Sequence, residues 1–206
     1  MHKEITHPII QHKLTILRNE KTKHKEFREI VNEITMLLTY EALKHVGLRE
    51  VEITTPVAKT VGYEVCHDIV VVPVLRAGVG MLNSVCEIIP IARTGFIGLY
   101  RDHETKLPVE YYVKLPESSD DALVLLVDPM LATGGSTSAA IDLIKRSGFE
   151  QIVVLSIVAA PEGISKVESA HNDVSIYCAA IDECLNDDMY IVPGLGDAGD
   201  RLFGTI

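Results

Sequence analysis

Long apolar runs are missing from this chain. No segment approaches the ~20 apolar residues of a membrane-spanning helix. The first residues, Met1-His2-Lys3-Glu4-Ile5-Thr6-His7-Pro8, lack the apolar stretch of a signal peptide. A cytoplasmic location is therefore expected, with no membrane as partner. Paired cysteine spacing is missing too: Cys66, Cys86, Cys178 and Cys184 form no C-x-x-C and sit among apolar neighbours or in a turn. Neither a zinc site nor a disulfide frame is expected from them. Positive charge is in deficit, with 19 Lys and Arg against 29 Asp and Glu and a formal net charge of −10. That balance opposes a nucleic-acid partner, which needs a basic footprint. Most of the histidines (His2, His7, His12, His24, His45) lie in the polar N-terminal third, and no Ser/His/Asp or Cys/His set emerges. No general base is assigned. What is present, 206 residues of which 47% are hydrophobic and 23% charged, is the composition of one ordinary globular domain spanning 1–206.

Strand and helix patterns alternate along most of the chain. His7 to Asn19 is weakly helical, with Ile9, Ile10, Leu14 and Leu17 apolar, and reads as part of an N-terminal helical arm (1–48). Lys23 to His45 is a clearer amphipathic helix, with Phe27, Ile30, Val31, Ile34, Leu37 and Leu38 as its stripe and Gly47 as its stop. Val51, Ile53, Thr55 and Val57 alternate as a half-buried strand would. Apolar runs at Ile69–Leu75, Gly95–Tyr100, Ala122–Val127, Ile152–Ala159 and Val174–Ala180 then take turns with helical patterns at Met81–Ile89, Ser136–Arg146 and Gly163–Ala170. The expected fold class is α/β, a mostly parallel sheet with helices on both faces. Arg101 to Pro116 interrupts the alternation with Asp102, Glu104 and Lys106 and then a Tyr/Val-rich stretch, which reads as a flexible β-hairpin and a candidate lid. From about Asp182 to Ile206 a C-terminal segment folds back onto the domain.

The chemistry concentrates in Asp128-Pro129-Met130-Leu131-Ala132-Thr133-Gly134-Gly135-Ser136-Thr137. Asp128 is the first polar residue after a buried strand, at the edge where open α/β sheets bind ligands. Thr133 to Thr137 lack bulk, so their N–H groups can close around an anion at the start of the following helix. An acid for ribose hydroxyls beside a cradle for a phosphate suits a sugar phosphate. No Lys follows the glycines, which excludes a P-loop ATPase or GTPase. Gly194-Leu195-Gly196-Asp197-Ala198-Gly199 spells G-x-G-x-x-G, but only Asp200 to Ile206 follow, too few for a dinucleotide unit. Arg76, at the end of the Ile69–Leu75 run and before Ala77-Gly78-Val79-Gly80, would lie at the same sheet edge; so would Arg101.

The ten residues resemble the phosphoribosyl pyrophosphate motif of type I phosphoribosyltransferases, and Met130-Leu131-Ala132-Thr133-Gly134-Gly135 reads as in the uracil phosphoribosyltransferase family. Val74 to Gly78, Leu99 to Asp102, Val109 to Pro116 and Tyr190 to Arg201 are similar to the same family in the same chain order. Two positions depart from it: Val79 stands where Leu is usual, and Met189 where a Gly commonly precedes Tyr-Ile-Val-Pro. The resemblance implies conversion of uracil and phosphoribosyl pyrophosphate (PRPP) to UMP and diphosphate, in pyrimidine salvage. It implies PRPP contacts from Arg76, Arg101, Asp197 and the whole stretch Asp128, Pro129, Met130, Leu131, Ala132, Thr133, Gly134, Gly135, Ser136 and Thr137. It places uracil on Ile191, Gly196, Asp197 and Ala198, largely through backbone groups, within a base-binding segment 182–206. Arg76, Arg101 and Asp197 would act as electrostatic and positioning groups, and Mg²⁺ would be bound mainly through PRPP and water, with Asp197 behind a water. A GTP effector and a homodimer or larger homo-oligomer are further expectations of the resemblance. The rival readings are a purine or orotate transferase, an RNA-binding regulator on the same fold, and a structural protein with a relic site.

Overall fold

A computed structural model describes residues 1–101 and 108–205. The chain opens with strand β1 (His2–Glu4) and helices α1 (Pro8–Arg18) and α2 (His24–Ala42), followed by a hairpin of β2 (Leu48–Thr54) and β3 (Lys59–Val65). Then come β4 (Asp68–Leu75), α3 (Val79–Ile88), β5 (Arg93–Thr94), β6 (Phe96–Arg101), β7 (Pro108–Lys114), β8 (Ala122–Val127), β9 (Met130–Leu131) and α4 (Gly135–Arg146). The last part holds β10 (Gln151–Ala159), α5 (Pro161–Ala170), β11 (Ser175–Ile181), β12 (Cys184–Leu185), β13 (Ile191–Val192) and α6 (Ala198–Phe203).

The main sheet runs β1-β11-β10-β8-β4-β6-β7, with β5 beside β4 and β9 beside β10; every pairing is parallel except β6 with β7. Its central strands are apolar on both faces because both faces are covered. Along β4, Ile69 and Val71 enter one core with α1, α2, α3 and α6, while Val70, Val72 and Val74 enter the other with α4 and α5. β8 divides in the same way, Leu125 and Val127 against Val124 and Leu126. This is the α/β architecture the alternation predicts.

Three local expectations change. The N-terminal segment is integral to the sheet rather than an arm ahead of it: β1 pairs with β11, and Ile10, Leu14 and Leu17 of α1 are buried in the core. On α2 the buried stripe is Phe27, Ile30, Val31, Ile34, Thr35, Leu38 and Thr39, with Leu37 turned partly outward. The two threonines enter the core because their hydroxyls donate to carbonyls one turn back, Val31 O at 2.7 Å and Thr35 O at 2.8 Å. Val51 to Val57 is not a half-buried strand. It belongs to the β2–β3 hairpin, which stands off the main sheet with Ile53, Val57, Val61 and Tyr63 exposed. Alternation shows that one face is apolar; it does not say what covers that face.

Of the stretch expected as a hairpin off the sheet at 101–116, the structure describes one strand, β7, which instead pairs with β6 at the edge of the main sheet from Phe96↔Lys114 to Arg101↔Pro108. Residues 102–107, with Asp102, Glu104 and Lys106, and the side chain of Arg101 lie outside the described residues. Among the described residues no helix is long and apolar enough to cross a membrane.

Candidate active site

β8 ends at Val127, and Asp128 is the first polar side chain beyond its apolar run. Asp128 is only partly buried by exposure, yet its carboxyl is desolvated enough to be pushed up to about 7, opposed by one bond from the Met130 N–H at 3.3 Å. Beyond it, β9 continues beside the far end of β10. Pro129 and Leu131 face inward, and their carbonyls accept from Ile157, Val158 and Ala160 N–H groups at 2.9–3.1 Å. They hold the turn, while Met130 and Ala132 look outward.

The turn into α4 needs glycine. Gly134 has φ +74°, a left-handed conformation, and a Cβ there would lie 2.6 Å from Gly163 O. A Cβ on Gly163 would in turn lie 2.3 Å from Ala132 O. The two glycines let the loop rest directly on the first turn of α5. Thr133 Oγ1 accepts from the Gly135 N–H at 3.4 Å, and the remaining first-turn amides of the twelve-residue α4 have no intrahelical acceptor. Its positive end therefore opens where Thr133 and Ser136 line a cavity, of which Asp128 is not a lining residue. Gly163 was not among the expected site residues; it reads as the start of the Gly163–Ala170 pattern, whereas α5 begins at Pro161 and places it inside the first turn.

The opposite wall comes from the C-terminal segment. β12 and β13 pair around a turn in which Asn186 Oδ1 accepts from the Asp188 and Tyr190 N–H groups at 3.1 and 2.9 Å. Met189 sits in that turn with φ +66°, the left-handed region that favours glycine, at the position where the family usually has one. After the cis Val192–Pro193 peptide, Gly194 and Gly196 also have positive φ, and Asp197 Oδ1 caps α6 by accepting from the Asp200 N–H at 2.9 Å. Ala198 is fully buried as the first residue of α6, and Gly196 is exposed.

A cavity of about 420 Å³ lies between the two walls. Met130, Ala132, Thr133 and Ser136 line one side; Asp188, Met189, Tyr190, Ile191 and Asp197 line the other. Asp188, Met189 and Tyr190 were not expected there, although the missing glycine at Met189 marked the turn. Thr137 is buried beneath the loop. Arg76 follows β4 at the same sheet edge, where the Leu75–Arg76 peptide is cis. A Cβ on Gly78 would lie 2.4 Å from Val127 O, so the Arg76–Val79 turn is pressed against the end of β8 just before Asp128. The Arg76 guanidinium is largely exposed, with Nη2 3.8 Å from Asp200 Oδ1 at the start of α6. Arg101 closes β6, two strands from β8. Among the described residues no group of three His, Cys, Asp or Glu is placed to hold a metal by itself.

Comparisons with known proteins agree with this architecture. A family model described as uracil phosphoribosyltransferase matches residues 4–205. Uracil phosphoribosyltransferases of Streptococcus equi subsp. zooepidemicus and Pediococcus pentosaceus are 56% and 53% identical over 202 residues, covering 98% of this chain and 97% of theirs. A solved structure from Aquifex aeolicus superposes with a TM-score of 0.94 at 38% identity, with 98% of each chain covered. An APRTase from Giardia lamblia, solved in complex with 9-deazaadenine, shares the fold at a TM-score of 0.53 and 18% identity, over 74% of this chain and 80% of its own. With a family match over nearly the whole length and an α/β frame common to phosphoribosyltransferases, the chain belongs to the uracil phosphoribosyltransferase family.

Proposed function

We propose that this chain converts uracil and PRPP to UMP and diphosphate. The observation that carries the reading is a cavity that joins the amino end of α4 to the loop before α6. One wall is fit for a sugar phosphate and the other for a flat, uncharged base.

On the donor side, the backbone amides of Ala132, Thr133, Gly134, Gly135, Ser136 and Thr137 hold the 5′-phosphate at the helix end. Asp128 accepts from the ribose hydroxyls, with Pro129, Met130 and Leu131 fixing its turn. Arg76 follows β4 and Arg101 closes the neighbouring β6, and the family resemblance assigns both to the diphosphate. Asp197 uses Oδ1 to cap α6, which leaves Oδ2 for a water on a metal ion. Mg²⁺ suits such a site, because it takes a few carboxylate oxygens, waters and substrate phosphates rather than a cage of protein ligands. When bound, it neutralises the charge that builds on the departing diphosphate.

On the base side, Ile191, Gly196 and Ala198 offer backbone groups to the O4 acceptor and N3 donor of uracil. Cytosine reverses both, leaving buried polar groups unpaired, which discriminates by about 10⁴-fold. An orotate reading is disfavoured because Arg201, the cation of this segment, is turned away to Leu195 O and Asn19 O, both at 2.7 Å. Substitution at ribose C1 then passes through a loose, oxocarbenium-like state, and the protein's work is positioning and charge stabilisation. No general base is assigned. The exposed apolar face of the β2–β3 hairpin supports a homo-oligomer, with a second copy as its cover. GTP as an effector rests on the family resemblance alone, and initial rates with and without it decide the point.

A spectrophotometric assay with PRPP, Mg²⁺ and uracil, cytosine, hypoxanthine or orotate tests the reading. Turnover of uracil at least about 10³-fold above the other three bases is the expected result. Preference for any other base overturns it, and activity undiminished in excess EDTA overturns the role of Mg²⁺.

A further inference from the structure

Behind the loop that carries Ile191 to Ala198 sits an ion pair that touches none of the cavity. Arg18, the last residue of α1, donates to both carboxylate oxygens of Asp182, from Nη2 at 2.6 Å and from Nη1 at 2.8 Å. The same pair grips one residue of the loop from both sides. Asp182 Oδ2 accepts from the Gly194 N–H at 2.8 Å, and Arg18 Nη1 donates to Gly194 O at 2.7 Å. Arg201 adds the next hold: Nη1 donates to Leu195 O and Nη2 to Asn19 O, each at 2.7 Å, while its guanidinium lies 4.3 Å from the centre of the Phe27 ring. Arg18 thus meets Gly194 directly, and Asn19 is joined to Leu195 through Arg201.

The arrangement is expensive as mere packing. Asp182 is 7% exposed, and a carboxylate so buried gains little net stability from a partner once both charges have been desolvated. What a bidentate guanidinium supplies is geometry. Gly194 needs that geometry imposed: its φ is +61° and a Cβ there would lie 2.1 Å from Ile191 O. On either side of the gripped pair, Ile191 and Asp197 line the cavity. With the carbonyls of Gly194 and Leu195 taken from the rear, the path of the chain between these two lining residues is set from outside the cavity.

We propose that Arg18 and Asp182, assisted by Arg201, are positioning residues for the base: a rear clamp that sets uracil affinity without contacting uracil. The inference rests on the reading that the 191–198 loop receives the base. The donor wall, from Asp128 to Thr137, has no part in the clamp, and Asp197 is held separately by its cap on α6, so the two substrates should respond differently when the clamp is loosened.

Arg18→Ala would strand the Asp182 carboxylate and report on folding, so the informative variants are Arg18→Lys and Asp182→Asn. Lysine keeps the charge beside Asp182 but cannot give two parallel bonds to the carboxylate and a third to Gly194 O. The expected result is a rise of about 10-fold in the KM for uracil in each variant, with the KM for PRPP within about twofold of wild type. The double variant should be little worse than either single one, since both break one unit. An unchanged uracil KM, or a parallel rise of both KM values as a merely structural role would give, overturns the clamp. Ala198→Pro, measured alongside, separates the two levels of the argument. If it raises the uracil KM and Arg18→Lys does not, the clamp alone falls; if it leaves uracil use intact, the base loop and the clamp fall together.

Discussion

From Asp128 to Thr137 the donor wall is one strand-to-helix turn, set by the elements on either side of it. The loop from Ile191 to Ala198 instead takes its geometry from Arg18, 176 positions before Gly194, and from Arg201, itself tied to Asn19 182 positions away. The first region is guarded by the absence of side chains: Gly134 and Gly163 meet backbone to backbone. The second is guarded by the presence of particular ones. Such a difference implies distinct weaknesses. Added bulk should break the donor wall, whereas lost hydrogen bonds should break the base wall.

Ala198→Pro should give the largest effect. As the first residue of α6, Ala198 has an N–H with no intrahelical acceptor, and Asp197 before it is already extended at φ −80°, ψ 111°. Proline therefore suits the helix backbone and removes the donor, while its ring adds bulk at a fully buried position, as the Ser hydroxyl also does. Uracil kcat/KM should fall about 10³-fold in steady-state kinetics, while Ala198→Ser, which keeps the N–H, should change it only a few-fold. Equal behaviour of the two variants would show that bulk, rather than a backbone donor, matters there.

On the donor side, Gly163→Ala should lower kcat/KM for PRPP about 100-fold, because the loop must move away from a Cβ 2.3 Å from Ala132 O. A crystal structure of the variant should show the Ala132–Gly135 turn displaced. An unaltered turn would mean that α5 yields instead.

Asp128→Asn sharpens the comparison through pH. Burial holds this carboxyl at about 7, far above its unfolded value. The charged acceptor for ribose hydroxyls is thus complete only above neutrality in the free protein. PRPP binding should release a proton near neutral pH, seen as buffer-dependent heat in calorimetry. In the variant that release should vanish and affinity should fall by about 1.5–2 kcal/mol, roughly 10- to 30-fold. The stability effect has the opposite sign. A folded pKa above the unfolded one means that the cost of the charge is absent at low pH, grows as pH rises from the unfolded value to about 7, and is full above it. Asp128→Asn should therefore melt higher than wild type at pH 8 and show no gain at pH 3.

The smallest effect belongs to Met189. A methionine at φ +66° is strained where glycine would not be, so Met189→Gly should stabilise by about 0.5–1 kcal/mol and raise Tm by about 1–3 °C. A lower Tm would mean that thioether packing outweighs the backbone strain.

Much of the frame was legible because central parallel strands are apolar on both faces and stand out as runs. The strand end at Asp128 and the turn into α4 were legible for the same reason, the apolar run stopping at an acid followed by residues without bulk. β1 was not, since three residues, His2-Lys3-Glu4, carry no apolar period and pair only because β11 offers an edge. The β2–β3 hairpin was misread as half-buried because nothing in an alternating pattern names its cover. The place of Met189 was visible as a residue at odds with its turn. Arg18 and Asp182 gave no local signal at all, because each resembles a surface charge until the chain brings them together. Gly163 was legible only as the start of a helical pattern, because its contact with Ala132 O is made by a segment distant in sequence.

The separateness of the two walls is tested most directly by calorimetric titration of PRPP with Mg²⁺ into Ala198→Pro. Donor affinity within about twofold of wild type, in a variant that has lost uracil turnover, is the expected result. A donor affinity that falls together with uracil use would contradict it, and would show that the loop before α6 holds the sugar phosphate as much as the base.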